Sequence, residues 1–284
     1  MTPVPAAAVA TREIPLATPD GHRYALLAHL PEQAERSLLW LPALGVAAKH
    51  YVPFAQALAA RGVAVFLHEW RGNGSSSLRP DRDHDWGYRE LLAVDLPESE
   101  RAIDALLPGA MRVIGGHSLG GQLACCRLAL DPAAAGALWL VASGAPYWRA
   151  FPPPTRWWLP LAYRFLPWLA DARGALPGRR IGFGGNEARG LIRDWSRTAL
   201  AGRYAAAGID LDLDAAMATV EVPARAAVMR SDWLAPESSL RFLLSKLPRS
   251  PLDVATFDAA ALGTKPDHFA WMREPSAIAR FLAP

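Results

Sequence analysis

Short β-rich apolar runs alternate along this chain with helix-patterned stretches. That rhythm predicts an α/β fold with a mostly parallel sheet covered on both faces. Two bulk observations agree. A length of 284 residues suits one α/β domain carrying an insertion, and a chain that is 51% apolar and 20% charged can bury a large core.

Each element has a local signature. Tyr24–Leu30 reads as an early strand after the turn Pro19-Asp20-Gly21, and Ser37–Leu41 as a buried strand stopped by Pro42. Tyr51–Ala60 is helical and is closed by Gly62. Val63–Trp70 is a strand before the turn Arg71-Gly72-Asn73-Gly74. Tyr88–Leu107 is helical with a kink expected at Pro97. Met111–Gly116 is a strand, Leu119–Leu130 a helix and Ala137–Ala142 a strand. After an irregular stretch come the strand Ala224–Met229, a helix near Glu237–Leu247, the strand Leu252–Phe257 and a last helix over Phe269–Leu282.

The irregular stretch spans residues 146–221. Pro152-Pro153-Pro154, Pro160, Pro167 and Pro177 break any strand rhythm, and 11 of the 26 aromatics fall in this quarter of the chain. It reads as a helical cap inserted into a core made of 1–145 and 222–284.

The remaining composition excludes several classes. The net charge is only +3, and 27 of the 30 basic residues are scattered arginines, so there is no nucleic-acid footprint. Cys125 and Cys126 are neighbours that cannot easily reach disulfide geometry. Met1–Thr18 has no basic region followed by an apolar one, so no signal peptide is read there. No run of about 18 apolar residues is present to span a bilayer, so the expected setting is the cytoplasm, without stable membrane insertion. No G-x-G-x-x-G or G-x-x-x-x-G-K-S/T calls for a nucleotide cofactor, and no cofactor is expected. Asp81, Asp83, His84 and Asp85 imitate a metal cluster, but such loop charges read as solvated, and no metal is expected.

The strongest chemical signal is Gly116-His117-Ser118-Leu119-Gly120, a G-x-S-x-G between a strand and a helix. A serine on so tight a turn needs small neighbours, and Gly116, Gly120 and Gly121 supply them. The turn leaves the Ser118 hydroxyl at a helix N-terminus, where partial positive charge favours a developing oxyanion. The competing reading is a helix-capping serine after a glycine-rich turn; the strand before it and the helix after it favour the nucleophile.

A serine hydroxyl needs a base. In the order serine, acid, histidine that goes with this motif, only His268 lies beyond Ser118, in a loop between the last strand and the last helix. Asp232 follows the strand Ala224–Met229 and is the favoured orienting acid over Asp258 and Asp267. Backbone N–H groups for the oxyanion are assigned to Leu119 and, from the loop Pro42-Ala43-Leu44-Gly45, to Leu44 with Ala43 as its rival. Glu69-Trp70-Arg71-Gly72-Asn73-Gly74 reads as a structural turn, its arginine tying loops together.

Together these pieces resemble the α/β-hydrolase superfamily over nearly the whole chain. The closer likeness is to serine aminopeptidase-like and lysophospholipase-like bacterial hydrolases. The matching residues are Leu41 to Gly45, Trp70 to Ser76, Gly116 to Gly121, Asp232 to Pro236 and Asp267-His268-Phe269. The resemblance implies the α/β-hydrolase fold, a Ser118–His268–Asp232 triad and a cap over the site. The chain departs from the family pattern at Pro42-Ala43, where His-Gly is usual, and at Glu69, where aspartate is usual.

The expected activity is hydrolysis of small to medium apolar carboxylic esters through an acyl-enzyme. Lactonase, thioesterase or acyltransferase chemistry would use the same triad, and a non-catalytic ligand-binding member of the fold is the rival of a different class. Trp148, Phe151, Trp157, Trp158, Phe165 and Trp168 are candidates to line an apolar acyl pocket, against the alternative that they form the cap's own core. Trp157–Leu169 also has an interfacial composition, but Pro160 and Pro167 argue against the continuous amphipathic helix that lipid binding favours. The oligomeric state is not legible.

Overall fold

Runs of apolar residues become the interior of one sheet because only there can both faces of a strand be covered. The computed structural model describes residues 9–284, in which eight strands are hydrogen-bonded side by side. They are β1 (Val9–Ala17), β2 (Arg23–Pro31), β3 (Arg36–Leu41), β4 (Val63–Leu67), β5 (Met111–His117), β6 (Ala137–Val141), β7 (Ala224–Met229) and β8 (Leu252–Phe257). The spatial order is β1-β2-β4-β3-β5-β6-β7-β8. The first two pairings are antiparallel and the rest parallel.

The two-residue period of the strands divides the core between two faces. Leu38, Trp40, Val65, Val113 and Trp139 pack with Tyr51, Phe54 and Trp271 on one face. Leu39, Leu41, Phe66, Ile114 and Leu140 pack on the other, against Leu123 and Leu128 of the helix that follows Ser118. The helices are α1 (Val52–Ala59), α2 (Leu96–Leu106), α3 (Leu119–Leu130), α4 (Thr155–Arg173), α5 (Arg189–Ala201), α6 (Leu213–Met217), α7 (Glu237–Leu244) and α8 (Ser276–Leu282). Because β3 and β5 to β8 are parallel, the loops after β3, β5 and β7 open at one sheet edge, the usual place for a site in such sheets.

Three expectations are corrected. β1 was not read from the sequence; its mostly exposed residues and Pro15 suit an edge strand with one unpaired side. Tyr88–Leu107 is helical as expected, continuous from Tyr88 to Leu106, but it is not divided at Pro97: a π-type turn, Leu91–Asp95, lies just before the proline. The last helix is divided, with a short 3-10 turn at Ala270–Met272 and α8 beginning after Pro275.

The segment between β6 and β7 contributes α4, α5, α6 and a two-residue ladder joining Leu176–Pro177 to Asn186–Glu187. α4 runs unbroken for 19 residues through Pro160 and Pro167, contrary to the expectation that prolines would interrupt it. Its buried side chains Leu159, Tyr163, Leu166 and Ala170 pack against the core, and tertiary packing outweighs local propensity. Gly174, with φ of 85°, ends it.

Candidate active site

Ser118 sits where β5 turns into α3, with φ of 54° and ψ of −118°. Non-glycine residues avoid that region, so the turn holds backbone strain at the half-buried hydroxyl-bearing residue. The surrounding glycines are required by close approach. A Cβ on Gly116 would lie 2.3 Å from the Gly120 carbonyl carbon, and one on Gly120 2.0 Å from the Leu41 carbonyl oxygen. Ser118 donates its N–H to Val141, while its carbonyl accepts from Gly121 and Gln122 as α3 begins.

His268 and Asp232, 36 residues apart, meet through an Nδ1–Oδ2 bond of 2.7 Å, both side chains being buried. The second carboxylate oxygen accepts from the N–H groups of Leu234 and Ala235. With the carboxylate accepting, Nδ1 carries a proton, and Nε2 is left free of this bond. Two further bonds hold this pairing: Ser231 N–H to the Pro266 carbonyl, and the Trp271 indole N–H to the His268 carbonyl. The rival acids are engaged locally. Asp258 accepts from Ala261 N–H, and Asp267 from Phe269 and Ala270 N–H. The Ser118 hydroxyl itself forms no hydrogen bond among the described residues. The His268 ring lies 4.6 Å, between centroids, from that of His117, the residue preceding the serine.

His117 points to the other face of the sheet, fully buried. Its Nδ1 is hydrogen-bonded to the Tyr51 hydroxyl at 2.9 Å, and that hydroxyl accepts the Ala43 N–H at 2.9 Å. Burial first, and the neighbouring His268 second, drive the His117 pKa well below its ordinary 6.5, so the ring is neutral. Sequence reasoning missed this relay, because a tyrosine eight residues beyond Ala43 leaves no local pattern.

The relay bears on the candidate oxyanion loop. Ala43 N–H is spent on Tyr51, whereas Leu44 N–H and the helix-leading Leu119 N–H donate no such loop bond. The loop is fixed from the other side by the Trp70 indole N–H, which donates to the Pro42 carbonyl at 2.8 Å. Trp70 therefore does more than form a turn. Glu69 accepts from Ala48 and Ser75 N–H, and Arg71 is bidentate to buried Asp95 while also reaching Asp20. Asp81 is turned onto the N–H groups of Asp83 and His84, and Asp85 accepts from Gly190.

A cavity of about 10 Å³, room for one water, lies between the candidate oxyanion residues Leu44 and Leu119 and the segment that joins β6 to β7. Trp70, Trp86, Leu191 and Glu187 also line it. Gly184 and Gly185 pack against its wall at Leu44 and Gly45, and a Cβ on Gly45 would come within 1.9 Å of Gly185 N. Glu187 is buried and accepts from Gly185 N–H at 2.7 Å; burial raises its carboxyl to about 7, against the lowering pull of that N–H and of Arg179. None of the six aromatics expected to line an acyl pocket touches this cavity. Phe151 is in the core, Trp148 packs partly buried at its edge, and Trp157, Trp158, Phe165 and Trp168 face solvent. The apolar walls are built by Trp70, Trp86 and Leu191 instead, because α4 spends its buried face on packing.

Known proteins share this fold over nearly their full length. The esterase domain of a Rhodothermus marinus protein superposes with a TM-score of 0.64 at 15% identity, covering 96% of each chain. A hydrolase from Pseudomonas aeruginosa gives 0.59 at 20% identity, covering 96% of this chain and 99% of that one. The thioesterase domain of the curacin biosynthetic pathway gives 0.58 at 17%, covering 97% of this chain and all of that one. No curated protein matches the chain. Residues 32–197 match the family described as serine aminopeptidase, S33. With that match over more than half its length, the chain belongs to the S33 serine aminopeptidase hydrolases of the α/β-hydrolase superfamily.

Proposed function

We propose that this protein hydrolyses carboxylic esters of small to medium apolar acyl groups, with Ser118 as nucleophile, His268 as general base and Asp232 as its orienting acid. The observation that carries the proposal is the buried 2.7 Å Asp232–His268 bond beside the strained Ser118 turn. Asp232 holds the tautomer in which His268 Nε2 can accept a proton. As Ser118 Oγ attacks the ester carbonyl, His268 takes the hydroxyl proton, and the carbonyl oxygen becomes an oxyanion. Leu119 and Leu44 N–H are the groups proposed to bind it, aided by the positive end of α3. Collapse expels the alcohol, protonated by His268, and leaves an acyl group on Ser118. Water activated by the same histidine then attacks the acyl carbon and releases the acid. The cavity admits no acyl chain as it stands. The segment carrying Gly184, Gly185 and Glu187 therefore acts as a cap that must swing away from Gly45 before substrate enters.

The test is turnover of p-nitrophenyl acetate, butyrate and octanoate by wild type and by Ser118→Ala. Turnover by the wild type and its loss in the variant are expected. Equal rates in both would remove the serine mechanism.

A further inference from the structure

The outer face of α4 is apolar and uncovered. Trp157, Trp158, Leu161, Phe165 and Trp168 are each between 46% and 72% exposed. At 3.6 residues per turn these five fall within about a third of the helix circumference, opposite the buried Leu159, Tyr163, Leu166 and Ala170. Phe165 and Trp168 lie 5.6 Å apart between ring centroids, so the patch is continuous along the helix. Isolated exposed apolar residues are common on any surface, but five large ones on one face, three of them tryptophan, are not.

The charge of the segment that carries the patch selects its partner. Residues 146–185 carry six arginines (Arg149, Arg156, Arg164, Arg173, Arg179 and Arg180) against one acid, Asp171. None of the six forms a salt bridge among the described residues, while Asp171 is paired with Arg193. Arg164 projects from the same side of α4 as Trp157 and is exposed. A twofold contact with a second copy would bring these like charges together. Tryptophan and phenylalanine beside the unpaired, exposed Arg164, on a segment rich in arginine, instead match a lipid–water boundary, where indole rings settle at headgroup depth and guanidinium groups meet phosphate.

We propose that the exposed face of α4 docks this protein, peripherally and reversibly, onto anionic lipid surfaces, with Trp157, Leu161, Phe165 and Trp168 in the headgroup boundary and Arg164, with the other unpaired arginines of the segment, on lipid phosphates. No helix among the described residues is long and apolar enough to cross a membrane, in keeping with attachment by a helix lying in the boundary plane.

The experiment is flotation of the full chain with vesicles of equal parts phosphatidylglycerol and phosphatidylcholine, and with phosphatidylcholine alone. Wild type is expected to float with the anionic vesicles and more weakly with the neutral ones. Leu161→Ser with Trp168→Ser should weaken binding about a hundredfold, roughly tenfold for each exposed anchor removed. Arg164→Glu with Arg180→Glu should reduce binding to the anionic vesicles only. Unchanged circular dichroism would establish that these surface variants are folded, and Ser118→Ala should float like wild type, separating docking from catalysis. Wild type that stays down with anionic vesicles, or variants that float as it does, would overturn the proposal. So would a dimer in sedimentation velocity that Leu161→Ser with Trp168→Ser converts to monomer, since the face would then belong to a second copy.

Discussion

Replacing Tyr51 with phenylalanine removes one oxygen that two groups depend on. Tyr51 is fully buried, and its hydroxyl both accepts from Ala43 N–H and is bonded to His117 Nδ1, each at 2.9 Å. Phenylalanine keeps the ring packed against Trp40 and Trp271, so no cavity term is added. The cost is that of leaving a backbone N–H and an imidazole nitrogen buried without partners. At about 1–3 kcal/mol for each group, partly relieved by relaxation, Tyr51→Phe should lose about 2–4 kcal/mol of stability. A second effect falls on catalysis. Ala43 immediately precedes Leu44, and without its anchor the loop carrying the proposed oxyanion donor is less constrained, which should lower kcat about tenfold while changing KM little. Urea unfolding and p-nitrophenyl butyrate kinetics read the two effects separately. Stability within 0.5 kcal/mol of wild type together with unchanged kcat would refute the relay as an anchor of the loop.

Three further outcomes follow from the same geometry. Asp232→Asn should lower kcat about a thousandfold or more by releasing the His268 tautomer, whereas Asp258→Asn should leave kinetics unchanged because Asp258 only caps a helical turn. The folded protein retains the Glu187 proton up to about 7, while the unfolded chain releases it near 4.5. The stability associated with this group is thus complete below pH 4.5, falls as pH rises toward 7 and then levels, by about 3 kcal/mol in all. Glu187→Gln should flatten that part of the stability profile, measured as urea midpoints across the interval and compared with wild type. Gly120→Ala drives a Cβ against the Leu41 carbonyl and should cost more than about 3 kcal/mol, whereas Gly62→Ala meets no atom within 4 Å and should cost only about 1 kcal/mol, for its φ of 78°. Melting temperatures of the two variants would test the contrast.

The central strands were legible because burial on both faces demands continuous apolar runs, and β7 matches its sequence-read limits; so does β8, a mostly exposed edge strand. α3 was legible because Gly116 to Gly121 announce a tight turn before it. The same local logic failed at β1, whose pairing partner rather than its composition makes it a strand, and at α4, whose prolines are overridden by what its inner face packs against. Candidate side chains at positions 118, 232 and 268 were identifiable from residue type and chain order. Their mutual distances were not, since they depend on loops from three different strands converging at one sheet edge.

What the sequence determined by itself is the set of chemically competent groups and the periodicities that build the sheet. These are properties of short segments, set by side-chain size, backbone freedom and hydrophobic spacing. Tertiary structure alone decided which carboxylate meets His268, which backbone N–H Tyr51 consumes, and that Glu187 rather than an α4 aromatic faces the cavity beside Leu44 and Leu119. It also turned the tryptophans of α4 outward. Each of these outcomes rests on contacts between residues distant in the chain, and a helix face acquires an inside and an outside only when another element covers one of them.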